Sequence, residues 1–545
     1  MGSGVVQVAI ALSGGVDSAV AALLLHRCVA TWRDVEALWC SPRPLSLDEV
    51  VTAIAERRSW ADLVTCFPQS WMAQHNPAAE IRYHPLFMKN WDDLADSFEG
   101  GGGAAHRRRW CGASWKDYDD ATEVARKVGL LPDNGLLQLY DFSSRYVTAC
   151  FDPMLNAYAR GETLNVDVLC NSEVKFGALL RVLLDNGRAQ YIATGHYSRT
   201  IALHNIEPCS DMIKDKMNNA RVIARPFTAG NDLNDQTLFL SRLSRFQASR
   251  AIFPLGHVFG RKADVRAVAR YFGLTNVSEK KTSTGLCFVG ERYRRSRRAA
   301  DGFCAFLTEY IAPSREEPSD VSAAGGAVTK FLDAGTDRAV PCTSFIIPGG
   351  YKWPEQPLLP AHCLTIGQRL QGLRAEGEPV TYYYVQCKEV LSPQGYMELT
   401  EDCCTRHLRA VWLVNSWDHR LLYRAVVKLR DVLLTMSREQ LLPQLSSTQS
   451  QRRSVKDVRL RCCCCARHQE PLQAAELHFF ASDVHETGDG GTRVHCATVE
   501  FSAPVRAPTA GQALVAYRRV ALGVSEASSS TDPSAWFVAA SGWIV

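Results

Sequence analysis

The stretch that most constrains this chain lies near its start. Val5-Val6-Gln7-Val8-Ala9-Ile10-Ala11-Leu12 is followed by Ser13-Gly14-Gly15-Val16-Asp17-Ser18 and then by an Ala/Leu-rich run. Eight residues rich in Val, Ile and Ala read as a buried parallel strand. Two glycines then give the backbone freedom that a tight strand-to-helix turn needs. Ala19 to Cys28 has helical composition, with Val20, Leu24 and Cys28 on one face. A helix N-terminus offers unpaired N–H groups and a partial positive charge, so a glycine turn feeding it binds phosphate. Ser13 and Ser18 add hydroxyl donors. The plainer alternative is an ordinary glycine-bearing turn between a strand and a helix. The string is not the GxxxxGK[ST] loop, because no Lys follows the glycines.

At 545 residues the chain exceeds one usual core, so two or three domains are expected. No apolar run approaches the length that spans a bilayer, and no membrane partner is expected. A net charge of +4 permits a polyanionic partner without demanding one. Nineteen cysteines could mean disulfides, but no secretory signal precedes the first strand. A reducing compartment is expected, with any special cysteines reactive or metal-binding.

Further along, Val35 to Trp39 reads as a second strand and Cys40 to Pro85 as irregular. Leu86 to Trp91 follows. Ser114 to Val128 has helical spacing, Leu137 to Tyr140 reads as a strand, and a helical run to Arg160 stops at Gly161. Cys170 stands just before a polar run that opens a helix at Asn171, where the positive helix end favours a thiolate. Asp167, three residues earlier, can act as a base or orient a group. The alternative is a buried, inert cysteine. Tyr191 to Thr194 is a strand ending in Gly195-His196-Tyr197. Gly195 there would let a nucleotide approach the backbone, and His196 would contact a phosphate or the target unless it is structural. Residues 200 to 230 read as irregular, and Asn234-Asp235-Gln236 leads into a helix. Cys287 sits in a loop after Lys280 and Lys281, a setting that favours thiolate. From about 300 to 385, glycines, prolines and short strands suggest a small β-rich module. The tail reads as a β-barrel interrupted by the polar stretch Leu445 to Lys456. Of Cys462 to Cys465 only the outer two have CxxC spacing, and no second pair stands at zinc distance. No resident metal is assigned, and deleting the four is expected to leave activity intact.

Taken together, the strings SGGVDS, FMKNW, NVDVLCN with EVKF, ATGHY, NDQ, IFPLG, STGLCF with GER, and LTIGQR resemble one family in order: the tRNA-specific 2-thiouridylases, within the N-type ATP pyrophosphatases. The resemblance implies an α/β fold. A parallel-sheet catalytic domain would span 1–298, with an insertion at about 41–85. A central β-rich tRNA-binding domain would span 299–390. A C-terminal β-barrel would span 391–545, with an insertion at about 435–490. It also implies the chemistry. ATP, with Mg²⁺, adenylates the C2 oxygen of the wobble uridine 34 of tRNAs for Lys, Glu and Gln. Persulfide sulfur on Cys287, received from a relay that begins at a cysteine desulfurase, then displaces AMP with the help of Cys170. The target base must be flipped out to be reached.

Carried over residue by residue, the resemblance places Ala11, Leu12, Ser13, Gly14, Gly15, Val16, Asp17, Ser18, Met88 and Gly195 at ATP. It places Asn165, Val166, Asp167, His196, Asn234, Asp235, Gln236, Arg430 and Gln512 at tRNA. Leu164, Val166, Asn234 and Thr282 depart from the family's usual residues, which bears on RNA contacts more than on the chemistry. An iron–sulfur cluster on Asp167, Cys170 and Cys287 is the rival reading of the same three residues. Other pyrophosphate-loop ligases or amidotransferases, and an inactive tRNA-binding relative, are the rival functions. Eukaryotic relatives are mitochondrial, but no presequence is visible, so the compartment is expected to be mitochondrial in a eukaryote and cytoplasmic otherwise.

Overall fold

The computed structural model of the protein describes residues 4–64, 75–91, 112–202, 220–226, 235–280, 303, 307, 330–335, 345–346, 363–372, 382–390, 408–436, 457–488, 491–521 and 534–545. The strand foreseen at the start is β1 (Val5–Leu12), and α1 (Val16–Cys28) follows the glycine turn. β1 is the middle of a five-stranded sheet. Its neighbours are β2 (Glu80–Lys89) and, beyond it, β3 (Gln138–Asp141) on one side, with β4 (Tyr191–Ala193) on the other. Every pairing in this sheet is parallel. Val6, Val8, Ile10 and Leu12 bury into the core beneath α1, whereas Ala9 joins the core on the opposite face. That alternation with both faces covered is what a central parallel strand requires.

Val35 to Trp39, expected as a strand, lies in helix α2 (Trp32–Trp39). A short apolar run does not separate strand from buried helix by periodicity. The deciding signal is the capping box of Thr31 and Asp34, whose carboxylate also accepts from the Ala30 and Thr31 N–H groups. The described part of the interval 40–85 is likewise not irregular: it holds α3 (Leu47–Glu56), α4 (Trp60–Leu63) and the first half of β2. Pro85 is tolerated inside β2 because β3 pairs only from Leu86 onward, so on that side no ladder bond is lost. α5 (Gly112–Val128) packs beside α1.

The region expected as irregular after residue 200 contains the antiparallel hairpin β5 (Arg199–Ala202) and β6 (Arg221–Ala224). β7 (Ala251–Ile252) then pairs with β4 and completes the parallel sheet.

The tail forms a closed barrel of six antiparallel strands. Tyr423–Leu434, Thr492–Arg506, Gln473–Phe480, Asp457–Cys465, Ala513–Ala521 and Ser534–Ile544 pair in that order, and the first and last also pair with each other. Two of these staves lie within the expected insertion of about 435–490, so part of that interval is barrel. Cys462 and Cys464 alternate into the barrel core, which is why deleting the run would remove part of a stave. Strand Ser534–Ile544 also meets β6 through Phe537 and Ala224, so the hairpin extends the barrel sheet. The central module is a five-stranded sheet that includes Leu408–Val414, beyond the boundary expected at 390.

Candidate active site

The glycine turn is fixed from three sides. Ser18 Oγ accepts from the Ser13 N–H at 3.1 Å, lies 3.1 Å from Ser13 Oγ, and donates to the Gly15 carbonyl at 3.1 Å. Gly14 has φ +70°, and a Cβ there would stand 2.3 Å from the Asp117 carbonyl oxygen of α5. Gly15 is the N-cap of α1 and provides no side-chain cap, so the first-turn N–H groups face outward without intrahelical partners. Ser13 is exposed, while Leu12 and Val16 are buried and offer only backbone. Asp17 accepts from the Tyr197 hydroxyl at 2.8 Å and from Lys262 at 3.0 Å. Lys280 reaches the Gly14 carbonyl at 2.9 Å and the carboxylates of Asp117 and Asp120 at 2.7 and 2.5 Å. A Cβ on Gly195 would lie 2.6 Å from backbone atoms of Asp17 and Ser18. The backbone that approaches Gly195 is therefore the loop itself.

The thiol site is one strand away. Asn165 caps a helix by accepting the Asp167 N–H at 3.0 Å. This helix runs from Val166 through a π-helical stretch, Cys170–Leu179, so it begins five residues earlier than Asn171. Cys170 is thus one turn inside the helix, and the favourable N-terminal field falls on Asp167. A π-helical segment is uncommon and recurs at functional sites. Cys170 is 3% exposed and packs with Trp91, Tyr146, Met154 and Tyr158. Asn90, just past β2, donates Nδ2–H to Cys170 Sγ at 3.8 Å. Burial pushes the Asp167 carboxyl up to about 6, with Lys175 and His468 pulling it the other way. Asp167 and Cys170, three apart, share a helix face. Cys287 and Asn234 lie outside the described residues. Among the described residues no group of three or more His, Cys, Asp or Glu is placed to hold a metal ion.

The family model described as tRNA methyl transferase HUP domain matches residues 75–291. The tRNA-specific 2-thiouridylase MnmA 2 of Geobacillus kaustophilus is 30% identical over 434 residues, covering 79% of this chain and 84% of that protein. The chain belongs to the tRNA-specific 2-thiouridylase family. Similar proteins of the same printed name include those of Bordetella pertussis, 36% identical over 234 residues (43% of this chain, 51% of that one), and Nitrosomonas eutropha, 38% over 226 residues (42% and 50%). The model match opens at residue 75, after the α3–α4 segment that in this 2-thiouridylase separates the glycine turn from β2.

The remaining 2-thiouridylase positions are held mostly by the protein's own groups. His196 is kept neutral: burial pushes its pKa well down, with Lys175 adding to this. Its Nδ1 lies 2.7 Å from Thr194 Oγ1, and its ring packs against those of Phe176 and Phe253, which also meet each other. It offers no cation to a phosphate. Both Asp235 oxygens are engaged, by Arg225 at 2.5 Å and by the Thr237 N–H and hydroxyl. Gln236 Oε1 accepts the Tyr197 N–H at 2.9 Å. Val166 is buried in the Cys170 cluster, and Met88 packs between this cluster and the sheet core. Arg430 pairs with Glu162 through two contacts, at 3.2 and 2.8 Å. Gln512 joins the barrel end through backbone bonds to Thr509 and Ile544.

Sequence reasoning did not single out Asn90, Tyr197 or Lys262, and it read Lys280 as a neighbour of Cys287 rather than as a contact of the glycine turn. Asn90 and Tyr197 stand in strings already singled out, but as unremarkable polar residues. It also missed a surface where the central module meets the barrel. There, exposed Trp417 carries the Arg506 guanidinium 4.3 Å from its ring centre, and Arg369 lies 4.7 Å over Tyr382.

Proposed function

We propose that this chain is an ATP-consuming tRNA sulfurtransferase that makes 2-thiouridine at wobble position 34. The observation that carries the reading is the neighbourhood of two sites at the C-terminal edge of one parallel sheet. The glycine turn follows β1, and Asn90, in contact with Cys170, follows the adjacent β2. A nucleotide held on the turn and a nucleophile beside the next strand can act on one atom.

ATP is the first substrate. Its phosphates fit the N–H groups of the α1 first turn and the Ser13 hydroxyl, which can turn its O–H toward an anion. Mg²⁺ would have to share Asp17 with Tyr197 and Lys262. The C2 oxygen of uridine attacks the α-phosphorus and diphosphate leaves, which turns a poor electrophile into one with AMP as leaving group. Sulfur then attacks C2 and AMP departs. It comes from a persulfide on Cys287 by one of two routes: the outer sulfur attacks C2 and the Cys170 thiolate then cleaves the adduct's S–S bond at the Cys287 sulfur, or Cys170 cleaves the persulfide first and the released hydrosulfide attacks C2. Either route leaves a Cys170–Cys287 disulfide for a thiol reductant of the compartment to reopen. The Cys287 segment starts from Lys280, pinned on the glycine turn. Seven residues reach at most about 25 Å, enough to meet the end of the neighbouring strand. Asp167, ionised above about pH 6, is the base on the Cys170 helix face.

The tRNA backbone would run over the central module and the barrel, with Arg369, Arg506 and Trp417 offering charge and a stacking face. The sulfur donor is a persulfide relay protein fed by a cysteine desulfurase. The setting is a reducing compartment, mitochondrial in a eukaryote and cytoplasmic otherwise. Ligases that use the same loop have no need of two placed thiols. The test is mass spectrometry of tRNA nucleosides after incubation with ATP and a persulfide donor. We expect 2-thiouridine at position 34 and one AMP per sulfur inserted; unmodified uridine with the intact protein would overturn the reading.

A further inference from the structure

Asn90 has no role in the chemistry above, yet it is placed as if it had one. It is 8% exposed and directly follows β2. Its Nδ2–H points at Cys170 Sγ, and its Oδ1 is enclosed without a hydrogen-bond partner among the described residues. The residue before it, Lys89, is satisfied by Asp141 at 2.9 Å, and the chain beyond β3 is tied back to it through the Phe142 N–H and the Lys89 carbonyl. Among the described residues, the end of β2 is therefore well bonded apart from this one atom. An enclosed acceptor left unmet is a cost that any apolar side chain of similar size would remove. The amide is retained while only its donor is in use, and that donor faces the nucleophilic sulfur. Among the described residues, the side chains that share its cluster are largely apolar: Trp91, Tyr146, Phe151, Met154 and Leu307. An apolar site disfavours a thiolate unless a donor meets it.

We infer that Asn90 is a positioning residue for the thiolation reaction: its carboxamide N–H holds the Cys170 sulfur in the thiolate form and fixes its direction. The inference rests on Cys170 being the nucleophile but not on the identity of the RNA target.

The test compares Asn90→Ala and Asn90→Asp with the wild-type full chain, without tRNA. Methyl methanethiosulfonate, a small thiol reagent, is applied between pH 6 and 10, and labelling of Cys170 is followed by peptide mass spectrometry. A hydrogen bond to a charged sulfur predicts labelling roughly ten-fold slower in N90A at pH 7. The two proteins converge within about two-fold at pH 10, where the thiolate forms without help. N90D keeps the shape but replaces the donor with an acceptor, and it is slower still at pH 7. Buried Cys150 of the same cluster reports packing, and its labelling stays unchanged. Equal rates at pH 7, a difference that does not depend on pH, or a wild-type Cys170 that labels at neither pH would overturn the inference. Should N90A lose its thermal transition, N90D carries the comparison. Since no RNA is present, absence of 2-thiouridine in the nucleoside assay and failure of this labelling pattern are separate results.

Discussion

At the scale of single residues, Asp167 shows how a group proposed as a base sets itself against the fold. Its carboxyl is raised from 3.8 to about 6 because ionising it in its half-buried site is costly. The folded protein therefore holds that proton more tightly than the unfolded chain does. Stability is unaffected below about pH 4 and falls as pH rises through 6, by up to about 3 kcal/mol. Asp167→Asn, neutral at every pH, should lose thiolation by at least a hundred-fold and yet melt higher at pH 7.5. The gain in melting temperature should vanish near pH 4, and a scan of both proteins across that range checks it. Wild-type thiolation should fall off below about pH 6. A gain that persisted at pH 4 would mean that packing, not charge, separates the two proteins. Cys287→Ala should abolish 2-thiouridine while leaving ATP affinity within about two-fold, measured by calorimetry; wild-type thiolation by that variant would remove Cys287 from the mechanism.

At the scale of elements, the strand–turn–helix unit is legible in the sequence because each part has its own local signal: β-branched residues, two glycines, then Ala and Leu. The register of its neighbours is not legible, since β2 begins 68 residues after β1 ends and α2, between them, has strand-like composition. Val35 to Trp39 misleads for that reason, and only the Thr31–Asp34 cap betrays the helix. Gly195 was readable as a residue that something must approach, but a string of letters does not say what. In the fold it admits the backbone of Asp17 and Ser18, which a Cβ there would meet at 2.6 Å. Gly195→Ala must push the glycine turn away from β4. We expect ATP binding to weaken at least ten-fold, with the melting temperature lowered by only a few degrees. Unchanged nucleotide affinity would show that the turn can yield there at no cost.

At the scale of the molecule, the barrel and the catalytic domain are joined by charge as well as by strands. Arg242, buried beside the catalytic helices, binds Asp431 on the barrel and also donates to the Ser541 carbonyl at 2.9 Å. Asp431 holds Arg493 at 2.8 Å as well, and it does so at φ +47°, a conformation unfavourable for a side chain. Asp431→Ala leaves a buried guanidinium without its anion and should cost about 2–3 kcal/mol, read by chemical denaturation. Asp431→Gly loses the same ion pair but relieves the backbone, and should cost less. Equal losses would show that the backbone stores nothing at this position. None of this was visible in sequence, where Asp431 is one charge among many, whereas the barrel itself was legible through its alternating strands. The motifs that announce the chemistry are local, and the contacts that join the modules are separated by hundreds of residues.

That separation bears on how the protein is made. β1 emerges from the ribosome first, but its partners β2 and β4 begin at residues 80 and 191. At about 5–20 residues per second, the most apolar strand of the catalytic sheet waits roughly ten seconds or more for its second neighbour. The β5–β6 hairpin waits longer still, because the stave it joins is translated roughly 300 residues later. A nascent chain with two unpaired sheet edges is a natural client for chaperones, and slowing translation should lower soluble yield more than it would for a protein whose strands pair in the order they are synthesised.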